Sequence, residues 1–186
     1  VVDAGVRHDF APRPGLEQRK IGPGTADSLS GPAMTDVQCQ AALAAGREVV
    51  QSLPGNAVLL GEMGIGNTSA AALLMARLTG EALSVCTGRG TGLDDEGLAR
   101  KRSVLQAVLA RHELAVEPLA ALAAFGGFEI AMLCGAVLEA ALQRRVVVVD
   151  GFIASSAVLV ASKLAPHVLQ RCVFAHRSGE RGHALM

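Results

Sequence analysis

Arg145-Val146-Val147-Val148-Val149-Asp150-Gly151-Phe152-Ile153 is the most informative stretch of the chain. Four consecutive β-branched residues read as a strand, Arg145 to Val149, closed by the turn pair Asp150-Gly151. A helix follows from about Phe152 to Leu164, stopped by Pro166. Arg171 to Ala175 is a last strand. Upstream, Ala57-Val58-Leu59-Leu60 is a short apolar run with turn signals on both sides, the pattern of a buried parallel strand. Thr68 to Leu78 then has helical composition and ends at Gly80. Residues 81–93 are Gly-rich and ambiguous. Asp94-Asp95-Glu96 opens a helix running to about His112, three acids suiting a positive helix N-terminus. Pro118 to Ala124 and Phe128 to Leu142 are apolar helices parted by Gly126-Gly127. Nearer the start, Thr35 and Gln38 form a capping box for a helix that stops at Pro54-Gly55. Residues 1–34 are loop-rich, with Val1-Val2-Asp3-Ala4-Gly5 as a possible short strand ending in an acid. Strands alternating with helices at this spacing indicate an α/β fold with a parallel sheet.

Composition narrows the classes of function. The chain has 186 residues, 51% apolar and 18% charged, with 17 basic and 17 acidic side chains. That length suits one α/β domain spanning residues 1–186, able to bury about 70% of its unfolded surface. Zero net charge and the absence of a basic stripe argue against a nucleic-acid or membrane footprint. Five Phe with neither Trp nor Tyr make a poor stacking platform for single strands. Cys39, Cys86, Cys134 and Cys172 have no zinc or redox spacing and read as buried thiols in a reducing cytoplasm. The five histidines are scattered, so no metal site is expected, and no cofactor either. No apolar run reaches the length of a membrane span. The start at Val1 and the stop at Met186, just after Gly182-His183, read as the interior of a longer protein.

In parallel sheets ligands bind beyond the carboxyl ends of the strands. The strand ends here are Asp3-Ala4-Gly5, Gly61-Glu62-Met63-Gly64, Asp150-Gly151 and His176-Arg177-Ser178-Gly179. Each alone suits a tight turn with a capping acid; together they favour a ligand rim. Gly61-Glu62-Met63-Gly64-Ile65-Gly66-Asn67-Thr68-Ser69 reads as strand, Gly-rich turn and helix, which can aim backbone N–H groups at a phosphate. It resembles a P-loop, but Asn67 stands where the lysine belongs. It also misses the dinucleotide fingerprint, because Ser69 replaces the third glycine. Gly88-Arg89-Gly90-Thr91-Gly92 is a second Gly-rich loop, carrying a cation. Lys101 lies in the helix after it. Such a loop with Arg89 and Lys101 is suited to a phosphate monoester, although one cation of Arg100-Lys101-Arg102 should simply face solvent. Glu62, at an apolar strand end, is either a functional carboxylate or a backbone cap.

These residues resemble the nicotinate-nucleotide–dimethylbenzimidazole phosphoribosyltransferase family of cobalamin biosynthesis. The matching stretches are Arg19-Lys20-Ile21, Gly24-Thr25, Gly31-Pro32-Ala33-Met34, Gly61 to Thr68, Gly88 to Lys101, Gly126 to Ala131, Val149 to Ile153 and His176-Arg177-Ser178. They are collinear and span nearly the whole chain. The resemblance implies a Rossmann-like parallel sheet with helices on both faces, in three layers, with the family's smaller helical domain largely missing. It implies transfer of phosphoribosyl from nicotinate mononucleotide to 5,6-dimethylbenzimidazole, giving α-ribazole phosphate and nicotinate. A core without that smaller domain is expected to expose apolar surface and to self-associate, as a homodimer. By position it places Glu62, Met63, Gly64, Gly66, Asn67 and Thr68 at the sugar and the acceptor base. Gly88, Arg89, Gly90, Lys101 and Ser178 fall near the nucleotide phosphate, and Asp150 lines the site. The carboxylate usually assigned as the family's base lies beyond Met186, which leaves Glu62 as this chain's candidate. Residues 81–86 depart from the family's more polar lead-in. The alternatives are a non-catalytic nucleotide-binding core and a dinucleotide-dependent oxidoreductase; the broken glycine pattern at Ser69 counts against the last.

Overall fold

The structure is a computed structural model and describes residues 1–90, 92–176 and 178–186. It is α/β, parallel sheets with helices on both sides. The main sheet has three parallel strands in the order β3 (Ala57–Leu60), β4 (Val146–Val149), β5 (Cys172–Phe174). Val58 pairs with Val147, and Val147 with Cys172. β1 (Val2–Asp3) and β2 (Glu17–Gln18) form a separate parallel pair. The rim expected from four strand ends is therefore built from three. Asp3 is buried elsewhere, accepting the N–H groups of Gly5 and Val6 and facing Lys20.

Helix boundaries follow local signals closely. α1 (Asp36–Ser52) opens on the complete Thr35–Gln38 capping box. α2 (Asn67–Thr79) starts and stops at left-handed glycines, Gly66 and Gly80. A short turn, α3 (Leu83–Cys86), occupies the ambiguous region. α4 (Asp95–Arg111) is capped by the Asp94 carboxylate, which accepts the Gly97 N–H at 2.7 Å. α5 (Pro118–Phe125), α6 (Phe128–Leu142) and α7 (Phe152–Leu164) follow, with 3-10 turns at Pro166–Arg171 and Arg181–Ala184.

The core is Ala-, Leu- and Val-rich, and small residues let helices meet closely. A Cβ on Gly46 would stand 1.9 Å from the Met132 carbonyl oxygen, and one on Gly135 would stand 2.0 Å from that of Leu43. α1 and α6 thus touch backbone to backbone. Cover over the main sheet is uneven. Val58, Leu60, Val147 and Val149 are buried, whereas Leu59 is 76% exposed and Val173 53% exposed on the opposite row. All four cysteines are free thiols, three of them buried. Among the described residues no helix is long and apolar enough to cross a membrane.

Candidate functional site

The loop from Gly61 to Gly66 leaves the end of β3 and enters α2. Its tip is exposed, with Met63 and Ile65 standing free of the core. Glu62 turns back instead, and its Oε2 accepts a hydrogen bond from Asn67 Nδ2 at 2.5 Å. Gly64 runs hard against that amide: a Cβ there would meet Asn67 Nδ2 at 2.5 Å. Asn67, the residue found in place of a P-loop lysine, therefore anchors a carboxylate. It also lies near enough to Glu129, in the first turn of α6, to favour that group's ionised form. Burial pushes the Glu62 carboxyl above its ordinary value; the Asn67 bond opposes this, and the charges of Glu129 and Asp150 add to it. Glu129 is raised as well, chiefly by burial, against the pull of its own backbone N–H and Asn67. Asp150 is exposed at the end of β4, its N–H bonded to the Leu60 carbonyl. Glu62, Asn67, Glu129 and Asp150 thus make one acidic cluster.

A second cluster lies one residue further along α2. Lys101 Nζ, half-buried, donates to Thr68 Oγ1 at 3.0 Å and to the Gly88 carbonyl at 3.3 Å. Burial lowers its pKa, and the charge of Glu180 works the other way. Gly90, with φ at 57°, brings its backbone within reach of both Thr68 and Lys101. Its N–H donates to Glu180 Oε1 at 3.0 Å. A pocket of about 440 Å³ beside this loop is lined by Gly88, Arg89, Gly90, Arg102, Ser178 and Glu180 among others. Ser178 is held by its N–H, which donates to His183 Nδ1 at 2.9 Å. That bond requires a lone pair on Nδ1, so Nε2 carries the proton toward Ser155 Oγ, 2.9 Å away. Arg89 is committed at the edge. Its guanidinium pairs with Asp95 and donates to the Leu93 carbonyl at 2.7 Å. Thr91 and Arg177, the remaining members of the two motifs, lie outside the described residues.

The first turn of α2 joins the clusters, Asn67 serving the acids and Thr68 the lysine. One side of the site can hold an anion, and the other can accept a proton or face a cationic ring. Glu129 and Glu180 were not legible as site residues. Glu129 opens an apolar helix, where an acid reads as a dipole partner. Glu180 is brought to Gly90 across 90 residues of sequence.

The fold and its rim define a parallel α/β protein with charged groups gathered beyond the strand ends. The chain belongs to the phosphoribosyltransferase family described by the model DBI_PRT, which matches residues 1–186. It is 69% identical over its whole length to a nicotinate-nucleotide–dimethylbenzimidazole phosphoribosyltransferase of Variovorax paradoxus, covering 53% of that protein. It is 55% identical to one from Aromatoleum aromaticum, with 98% of this chain matched to 54% of that one. The solved structure of CobT from Thermus thermophilus superposes with a TM-score of 0.94 at 40% identity, covering 99% of this chain and 56% of that one. The chain spans about half the length of the relatives it matches.

Proposed function

We propose that this chain carries the nucleotide-binding half of a phosphoribosyl transfer from nicotinate mononucleotide to 5,6-dimethylbenzimidazole, giving α-ribazole phosphate and nicotinate. The observation that carries it is the pair of clusters on one turn of α2, a cation beside Thr68 and carboxylates beside Asn67, in a chain matched throughout by the family model. The nucleotide phosphate is taken by Lys101, the Gly90 N–H, Gly88, Thr68 and Ser178, which fixes the sugar by a remote handle. The ribose then lies toward Glu62. Nicotinate leaves as a neutral pyridine from a pyridinium and needs no proton. The benzimidazole attacks through one ring nitrogen and must lose the proton on the other. Glu62 is the base this chain supplies, and its raised pKa makes it a better proton acceptor than an ordinary carboxylate. Asn67 holds it in place, and Met63 and Gly66 shape the loop over the acceptor. Holding both rings on opposite faces of one sugar is a large part of such catalysis.

A homodimer and a cytoplasmic setting belong to the same reading, supported by the exposed apolar row of the sheet and by the free thiols.

Calorimetric titration with nicotinate mononucleotide and with nicotinate riboside tests the phosphate site. The mononucleotide binds more tightly, and Lys101→Ala weakens it by about 10- to 100-fold, the scale of a charge-assisted contact, while leaving the riboside unchanged. Equal loss for both ligands would overturn the placement of the phosphate at Lys101.

A further inference from the structure

The loop proposed to cradle the phosphate already holds an oxyanion, and it is the chain's own Glu180. Oε1 of Glu180 accepts the Gly90 N–H at 3.0 Å. Oε2 lies so close over Gly88 that a Cβ there would stand 1.6 Å from it. Only glycine at this position leaves room for the carboxylate. Lys101 is drawn electrostatically to the same group. The Gly90 N–H that Glu180 accepts and the Lys101 charge that attracts it are what a phosphate monoester needs, since both are oxyanions that favour N–H groups and ammonium ions. Two anions cannot share so small a half-buried space without strong repulsion.

The carboxylate is nevertheless weakly fastened. Oε2 is buried without a hydrogen-bond partner among the described residues, a costly condition for a charged oxygen. The flanking chain is firmly tied instead, Ser178 to His183 and His183 to Ser155 on α7. The side chain can therefore rotate away while its backbone stays fixed. Arg102 lines the same pocket, and its Nε has no partner among the described residues, so a displaced carboxylate has a cation to meet.

We propose that Glu180 is a tethered competitor for the nucleotide phosphate: its carboxylate occupies the Gly88–Gly90 cradle and must swing out before a phosphate can take the Gly90 N–H and Lys101. The inference rests on the reading of that cradle as the phosphate site. It makes Glu180 a determinant of nucleotide affinity, because only a ligand able to outcompete an internal anion is retained. Apparent affinity falls by the fraction of molecules whose cradle is open.

The test is titration of the unaltered chain, Glu180→Ala, Glu180→Gln and Lys101→Ala with nicotinate mononucleotide and with inorganic phosphate. With the latched form outnumbering the open one by about ten to one, Glu180→Ala tightens both ligands about tenfold. Glu180→Gln, which keeps the shape and removes the charge, tightens them as well and serves if the alanine variant fails to fold. Unchanged or weaker binding in both Glu180 variants, with Lys101→Ala still weakening it, would overturn the inference while leaving the phosphate site intact; Glu180 would then merely brace the loop. If Lys101→Ala has no effect on mononucleotide binding, the phosphate reading fails and this inference fails with it.

Discussion

Asn67 sets the behaviour of the acidic cluster. Its amide bonds Glu62 and lies close to Glu129, and in both cases it favours the ionised carboxylate against the effect of burial. With Glu62 as the proposed base, the rate is expected to fall as the pH drops through a value above that carboxyl's ordinary one. Asn67→Ala removes the opposing contact, so that acidic limb moves to higher pH; a pH–rate profile of the variant measures it. An unmoved limb would mean that Asn67 does not tune Glu62. The same shifts bear on folding. Both carboxyls have folded-state values above their unfolded ones, so the folded state binds more protons in between. Their stability contribution is thus greatest at low pH and is lost as the pH rises through the raised values.

At the scale of elements, the α1–α6 contact is the tightest joint in the core. A methyl group on Gly135 has no space against the Leu43 carbonyl, and backbone cannot yield as a flexible side chain does. Gly135→Ala therefore destabilises by about 1–3 kcal/mol despite its gain in helix propensity. For a chain of this size that lowers Tm by several degrees, at about 2–4 °C per kcal/mol. Differential scanning calorimetry checks this, and an unchanged or raised Tm would contradict the close crossing. Most elements were legible in the sequence because punctuation bounded them. Phe128–Leu142 lies between Gly126-Gly127 and a polar turn, and Phe152–Leu164 between Gly151 and Pro166. β2 was not legible, because a two-residue pairing carries no periodic signal. Nor does local pattern say that β1 pairs with it and leaves the main sheet. The Gly-rich loops and Lys101 were legible as candidates for the same local reason, and Lys101 does meet Thr68 and the Gly88 carbonyl. Glu129 and Glu180 depend on contacts made only after folding.

For the whole molecule, the uneven cover of the sheet is the feature with consequences in solution. Leu59 and Val173 lie on its open row, and Val146 is also partly exposed there. A contiguous apolar face of this kind favours association. Sedimentation at rising concentration should show self-association of the chain. The double variant Leu59→Lys, Val173→Glu should remain a monomer over the same range. A monomeric unaltered chain at high concentration would contradict this account of the face.

The most direct measurement of the proposed activity is nicotinate release. The chain, verified by intact mass, is incubated with nicotinate mononucleotide, with and without 5,6-dimethylbenzimidazole. The account predicts release that requires the benzimidazole, with α-ribazole phosphate formed in equal amount, and a rate lowered about 10²- to 10⁴-fold by Glu62→Gln. No benzimidazole-dependent release would contradict transfer by this chain and leave it a nucleotide-binding core.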